Sequence, residues 1–214
     1  MRLTIVYDNE AVVRLKSGWG FSCLVGENVL FDTGADYKTL LFNMQQLKID
    51  FAEINTIVLS HAHGDHTGGI EIVRQLGDVR VFVPSSFFPP IRRLLSGFRN
   101  VETVEVTTMI EIVEGITTTG EIDRTEQSLI VQTSKGLVIV TGCSHPGVDT
   151  IMSIAEEHGP VRGIIGGFHG FDRLGLLGDL EMIVPCHCTK HKRRILSEFS
   201  KTSSHCAAGM IFEL

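Results

Sequence analysis

No run in this 214-residue chain is apolar and long enough to cross a bilayer. No basic-then-apolar leader opens it either, since Met1 to Asp8 reads as a strand. Positive charge is in deficit. Against 25 acidic residues stand 19 basic ones, for a formal net charge of -6, which removes any bulk attraction to nucleic acid or anionic lipid. Cysteine is scarce and odd in number: five, two of them (Cys186 and Cys188) flanking His187, a poor match to a secreted disulfide framework. Low-complexity tracts and short fixed repeats are absent. These absences lead us to expect a soluble cytoplasmic protein whose partner is a small molecule, with no nucleic acid and no membrane. The 43% hydrophobic content suits one domain over residues 1–214 with a substantial core.

What the chain does have is concentrated in one heptapeptide. Ser60-His61-Ala62-His63-Gly64-Asp65-His66 follows the apolar run Thr56-Ile57-Val58-Leu59 and precedes Thr67-Gly68-Gly69. Imidazole nitrogen and carboxylate oxygen are the donors that zinc and other borderline divalent metals prefer. His61 and His63 are two apart, so in extended backbone they project to the same side and can grip one ion. Asp65 and His66 lie one bend further on and can face a second. A purely structural role for all four would require several buried polar groups to find partners at once, which is the harder condition to meet. The run also falls where a buried strand opens into a loop, the usual place for an open site.

Hydrophobic periodicity divides the chain into short strands and amphipathic helices. Strands are expected at 2–8, 20–25 and 28–32, the last two joined as a hairpin. A helix is expected at 36–48, where Leu40, Leu41, Met44 and Leu47 have helical spacing. A strand at 56–60, a helix at 69–76 and a strand at 79–83 follow. Segment 84–99 carries Pro84, Pro89 and Pro90 among Phe87, Phe88 and Phe98. It reads either as a loop with a short helix against the core or as a wall of a substrate pocket. Further strands are expected at 101–106, 109–113, 116–119, 127–133, 136–141, 161–166, 181–185 and 209–213, with helices at 147–158 and 191–200. This alternation suits a sheet-rich α/β domain with helices outside.

Other polar residues sit at strand ends. Gly136–Thr141 runs into Cys143, Ser144 and His145; Ile164-Ile165-Gly166-Gly167 runs into His169; Met182-Ile183-Val184-Pro185 runs into Cys186, His187 and Cys188. Phe31-Asp32-Thr33-Gly34 adds a carboxylate. Parallel strands deliver their C-terminal ends to one edge, so such residues converge. His145 and His187 are the stronger additional ligand candidates, with His169 and Cys143 behind them. Cys143, Cys186 and Cys188 also fit as buried, small apolar residues. Histidines 158, 191 and 205 are assigned no role. Lys190, His191, Lys192, Arg193 and Arg194 form a basic cluster at an expected helix start. Lys190 and Lys192 there are candidates to receive a substrate phosphate, and a solvated helix face is the plainer reading.

His61-Ala62-His63-Gly64-Asp65-His66 after a buried strand, with Phe31-Asp32-Thr33-Gly34 upstream and histidine-bearing strand ends downstream, resembles the metallo-beta-lactamase superfamily across essentially the whole chain. The resemblance implies an αββα four-layer sandwich: two mixed sheets face to face, outer helices, and a dinuclear metal site at one rim. A narrower likeness rests on Glu126-Gln127-Ser128-Leu129, Thr141-Gly142-Cys143-Ser144-His145-Pro146-Gly147, Gly166-Gly167-Phe168-His169 and His187-Cys188-Thr189. These resemble the branch of dihydropterin-6-methyl-ribofuranosylaminobenzene-phosphate synthases, linked to methanopterin biosynthesis. There are departures. Many superfamily members have a histidine in the loop corresponding to residues 117–121, and this chain has none there, so His145 is expected in that ligand's place. Cys143 stands where the usual bridging aspartate would be. Lys190 stands where the narrower branch often has glycine, and the chain is short for that branch.

The resulting expectation is a metal-dependent hydrolase with two zinc ions, iron and manganese being the other candidates. His61, His63 and His145 would hold one ion, and Asp65, His66 and His187 the other. Water activated between them would attack a carbonyl or phosphorus centre, with Asp65 orienting it or moving a proton. Asp32 would fix a ligand by a hydrogen bond. Three rivals are a pterin-linked synthase acting as a transferase, using Phe87, Phe88 or Phe168 against a flat heterocycle; a nuclease, disfavoured by the acidic balance; and a metal-binding or redox protein without hydrolase activity.

Overall fold

A computed structural model describes all 214 residues. The first sheet begins with the antiparallel strands β1 (Arg2–Tyr7), β2 (Ser22–Val25) and β3 (Val29–Phe31). After helix α1 (Tyr37–Gln46), it continues in parallel through β4 (Thr56–Val58), β5 (Val79–Pro84) and β6 (Val101–Val106). Between β4 and β5 lie the short helix α2 (Gly64–Thr67) and a 3₁₀ segment, Ile70–Gln75; between β5 and β6 lies α3 (Phe88–Leu95).

The second sheet is a meander, β7 (Ile110–Val113), β8 (Ile116–Thr118), β9 (Leu129–Thr133) and β10 (Gly136–Thr141), extended in parallel by β11 (Val161–Gly167) and β12 (Met182–Cys186). Helices α4 (Val148–Glu156) and α5 (Lys192–Glu198) flank these parallel strands, and β13 (Ile211–Glu213) returns to pair with β1. The strand orders are β13-β1-β2-β3-β4-β5-β6 and β12-β11-β10-β9-β8-β7.

Alternation along each strand builds the layers. In β4, Val58 faces the second sheet and Ile57 faces the helices; in β10, Val138 and Val140 point inward while Leu137 and Ile139 point outward. The inner core therefore joins Ile5, Phe21, Val58 and Phe82 to Leu129, Val140, Ile165 and Val184. One outer core seats α1 (Leu40, Met44) and α3 (Ile91, Leu95) on the first sheet; the other seats α4 (Ile151, Ala155) and α5 (Ile195) on the second. The result is the four-layer αββα arrangement of two mixed sheets, as the resemblance implied.

Two local expectations are refined. The helix expected at 69–76 is a 3₁₀ helix over residues 70–75. Buried Ile70, Val73 and Leu76 recur every third position, which eclipses them on one edge of a 3₁₀ turn. A Cβ on Gly69 would lie 2.1 Å from the carbonyl oxygen of Thr33, so only glycine lets this segment sit so close to the loop after β3. Segment 84–99 packs Phe87, Ile91 and Leu95 into the outer core of the first sheet, which matches the loop-and-short-helix reading. No helix is long and apolar enough to cross a membrane.

Candidate metal centre

The C-terminal ends of β3, β4, β10, β11 and β12 deliver Asp32, His61, Cys143, His169 and His187 to one rim of the sandwich. The turns are tight. Asp32 (φ 56°), Ser144 (55°), His169 (44°) and His187 (39°) all adopt left-handed backbone one to three residues after strands, a conformation costly for residues other than glycine and common at functional sites.

The donors fall into two adjacent groups. One donor atom each from His61, His63 and His145 lie within 4.8 Å of one another, and the same holds for Asp65, His66 and His187. The groups abut: the rings of His61 and His66 have centroids 4.2 Å apart. The structure thus brings together the six residues that the sequence pattern nominated as ligands. The second group spans a long stretch of chain, with His187 Nε2 3.0 Å from Asp65 Oδ2 across 122 positions of sequence.

Nδ1 partners decide which nitrogen faces the centre. His66 Nδ1 donates to Asp32 Oδ2 (2.6 Å) and His145 Nδ1 donates to Glu126 Oε2 (2.9 Å), both acceptors only. His187 Nδ1 donates to Asn9 Oδ1 (2.9 Å), an orientation fixed because Asn9 Nδ2 donates to the His187 carbonyl. Ser60 Oγ donates to Asp32 Oδ2, so it is left to accept from His61 Nδ1 at 2.8 Å. In His61, His66 and His145 Nε2 therefore carries the lone pair, while His187 Nε2 faces the Asp65 carboxylate at 3.0 Å; in all four rings Nδ1 is held by an acceptor, as metal-ligating histidines require. This donor set fits divalent metal.

Charge states follow from the same contacts. Burial holds His61 down at about 2, helped by neighbouring His66, and holds His187 at about 4, so both are neutral at pH 7. Burial opposes charge on His66 too, but Asp32, Asp65 and Glu126 outweigh it and raise its proton affinity. For Asp65, partial burial favours the acid form, yet His66 and His187 prevail and keep it ionised.

Glu126 is the residue that sequence reasoning missed as a functional group; it was visible only as part of the narrower likeness. Its carboxylate accepts backbone N–H groups from Gly142, Cys143, Ser144 and His145 at 2.8–3.0 Å, besides the His145 ring. Although wholly buried, it is held down at about 2, because those donors overcome desolvation. One carboxylate thereby shapes the entire turn that carries Cys143 and His145. Asp8 does a smaller version of this, accepting the backbone N–H of His187 at 2.8 Å.

The remaining candidates divide. Cys143 Sγ lies 3.2 Å from His66 Nε2, and Asp32 anchors His66 and Ser60 from below. His169 is exposed, with its ring 5.3 Å from that of His145, and joins neither donor group. Lys192 Nζ is 3.4 Å from Glu10 Oε1, and α5 has only seven residues, so the helix-start phosphate site loses its main support; Lys190 is exposed. Phe87 and Phe168 are core residues. The aromatic side chain at the centre is instead Trp19, 62% exposed, with its ring 4.7 Å from His187. Nothing in the local sequence around Trp19 signals this.

Comparison with known proteins agrees with this geometry. The sequence model of the metallo-beta-lactamase superfamily matches residues 22–186. The chain is 28% identical to the 7,8-dihydropterin-6-methyl-4-(beta-D-ribofuranosyl)-aminobenzene-5'-phosphate synthase of Methanocaldococcus jannaschii, over 88% of this chain and 85% of that one. Among solved structures, Tm1679, described as a metal-dependent hydrolase of the beta-lactamase superfamily, superposes with a TM-score of 0.83 at 26% identity, covering 100% of this chain and 99% of that one. Zn(2+)-bound PqqB from Methylobacterium extorquens shares the fold, with a TM-score of 0.71 at 12% identity over the full length of both.

Proposed function

This chain belongs to the metallo-beta-lactamase superfamily, and from that premise we propose that it is a metal-dependent hydrolase with a dinuclear centre. His61, His63 and His145 hold one cation; Asp65, His66 and His187 hold the other; zinc is the first candidate. The observation that carries the reading is the pair of abutting donor groups, with the buried rings of His66 and His187 fixed through Nδ1. A zinc ion bound there supplies Lewis acidity and lowers the pKa of water to about 7.

The protein's own groups supply the rest. Asp65 is partly exposed at the rim and kept ionised, so it can take a proton from attacking water and return it to a leaving group. His63 and Trp19 are exposed beside the centre, where a small substrate would meet them. A small molecule is the substrate class we favour, and the acidic balance argues against nucleic acid. The 26% identity with Tm1679 supports hydrolysis.

The synthase reading has one observation of its own: the Methanocaldococcus jannaschii relative at 28% identity. On that reading Trp19 would stack on a flat heterocycle.

Elemental analysis of protein purified without added metal comes first, followed by assays of phosphoesters, lactones and thioesters. Close to two zinc ions per chain with hydrolysis supports the proposal. Metal without hydrolysis, and condensation of a pterin donor with a ribosylated aromatic amine, would favour the synthase. His63→Ala and Asp65→Ala should abolish metal-dependent activity while leaving the fold intact; full activity in either variant overturns the assignment.

A further inference from the structure

Two thiols meet at the rim and belong to neither donor group assigned above. Cys188 Sγ lies 3.2 Å from Cys143 Sγ, and both cysteines are free. They sit on the turns after β10 and β12, the strands that flank β11, and they meet beside its last residue. A Cβ on Gly167 would stand 2.6 Å from Cys188 Sγ and 3.3 Å from Cys143 Cα, so only glycine leaves the space in which the sulfurs approach.

Backbone hydrogen bonds hold both turns in place. Glu126 accepts the Cys143 N–H at 2.8 Å. On the other side the Phe168 N–H donates to Thr189 Oγ1 (3.0 Å), and the Lys190 N–H donates to the His169 carbonyl (2.8 Å). Access to the two sulfurs is unequal. Cys143 is 3% exposed, whereas Cys188 is half-buried. One thiol can thus meet a reagent from solvent, and the other lies beneath it to complete the exchange, as in an attacking and resolving pair. No other pair has this arrangement. Cys186 and Cys206 also lie close together, beside Asp8, but they and Cys23 are wholly buried in the inter-sheet core.

We propose that Cys143 and Cys188 are a redox-active pair that closes reversibly into a disulfide on meeting a small-molecule disulfide. The Cys188 sulfur, its proton lost to solvent, attacks one sulfur of the reagent and expels the other as a thiolate. The Cys143 sulfur, deprotonated in turn, attacks Cys188 and expels the remaining half of the reagent. The protein gives up two electrons and two protons, and the reagent is reduced to two thiols. Closing draws the sulfurs from 3.2 Å to about 2.05 Å. It also ties the turn that carries His145 to the turn that carries His187, one residue from each donor group, and moves the Cys143 sulfur from its place 3.2 Å from His66 Nε2. The oxidised centre therefore holds cations less tightly. That consequence rests on the metal reading given above; the disulfide itself does not.

The test uses the whole protein, stripped of metal by chelator under reducing conditions, freed of reductant and exposed to excess oxidised glutathione. Alkylation after denaturation then counts the free thiols. Two of the five should be lost, and peptide mapping should join Cys143 to Cys188; dithiothreitol should restore all five. Cys143→Ser, which lacks the resolving thiol, should keep glutathione attached at Cys188, and Cys188→Ser should form no disulfide. Zinc uptake, read against a chromophoric chelator, should be weaker in the oxidised protein and recover on reduction. Five free thiols after treatment overturn the proposal, as does a disulfide joining any other pair or glutathione left on Cys188 of the wild-type protein. Equal zinc uptake by the two forms overturns the effect on the centre. No zinc uptake by either form overturns the metal reading and leaves the disulfide standing.

Discussion

His66 Nδ1 lies 2.6 Å from Asp32 Oδ2, with both side chains fully buried. Asp32 also accepts the backbone N–H and the hydroxyl of Ser60, each at 2.7 Å, and Ser60 positions His61. A single carboxylate thus orients a ligand from each half of the centre. Removing one partner of such a buried pair leaves the other uncompensated. Asp32→Ala should lower the unfolding free energy by about 3–5 kcal/mol, read by urea denaturation. Metal affinity should fall by about 10–100-fold, read by competition with a chromophoric chelator. Unchanged affinity would mean that Asp32 serves stability alone.

Glu126 predicts a pH signature. Its folded pKa lies at about 2 against an ordinary 4.5, so its stabilising contribution is complete above 4.5 and is lost as pH falls toward 2. That gap corresponds to about 3 kcal/mol. Glu126→Gln should be destabilised by an amount of that order at pH 7, with the deficit shrinking steadily below pH 4.5. Paired denaturation curves of the two proteins across pH 2.5–7, a range set by about these two pKa values, provide the check. A deficit that did not vary with pH would assign the loss to shape and not to charge.

His187 predicts a dependence of the same sign in a higher pH window, set by a proton it refuses. Burial holds its folded pKa at about 4, below the ordinary 6.5, so the unfolded chain takes up a proton between those values and the folded protein does not. In metal-free protein, stability should therefore decline as pH falls from 6.5 through about 4. His187→Gln should flatten that part of the curve. Equal slopes in the two proteins would show that His187 titrates normally in the fold.

Trp19 is the only tryptophan, and its ring meets that of His187 at 4.7 Å. Its emission should change when zinc is added to stripped protein, because the imidazole against it changes its electronic state. His187→Ala should abolish the response, and His158→Ala should not, since His158 follows α4 and belongs to neither donor group. A response retained in His187→Ala would place its origin outside this contact.

Much of the fold was legible because local rules govern it. The continuous apolar run Leu137–Val140 and the helical spacing at Leu40 and Met44 are properties of short windows, and such signals located most elements to within a residue or two. The segment at Ile70–Gln75 was legible as a helix but not as a 3₁₀ one, because Ile70, Val73 and Leu76 satisfy both periods at that length. The six candidate ligands were legible from their residue types and their positions after apolar strands. Glu126, Asn9 and Trp19 were not, since each acts on a partner 19 to 178 positions away or projects from an irregular loop.

By itself the sequence determined the donors: three imidazoles and a carboxylate close together after β4, and further donors where β10 and β12 end. Short-range geometry suffices for that, because strand period and turn position set where a side chain emerges. Only the tertiary structure decided which donors share a site, since the pairing of His187 with Asp65 and of His145 with His61 depends on two sheets packing face to face, and that of Cys188 with Cys143 on β10 and β12 flanking β11 in one sheet. It also decided which nitrogen each ring presents, because Asp32, Glu126 and Asn9 reach those rings from distant parts of the chain.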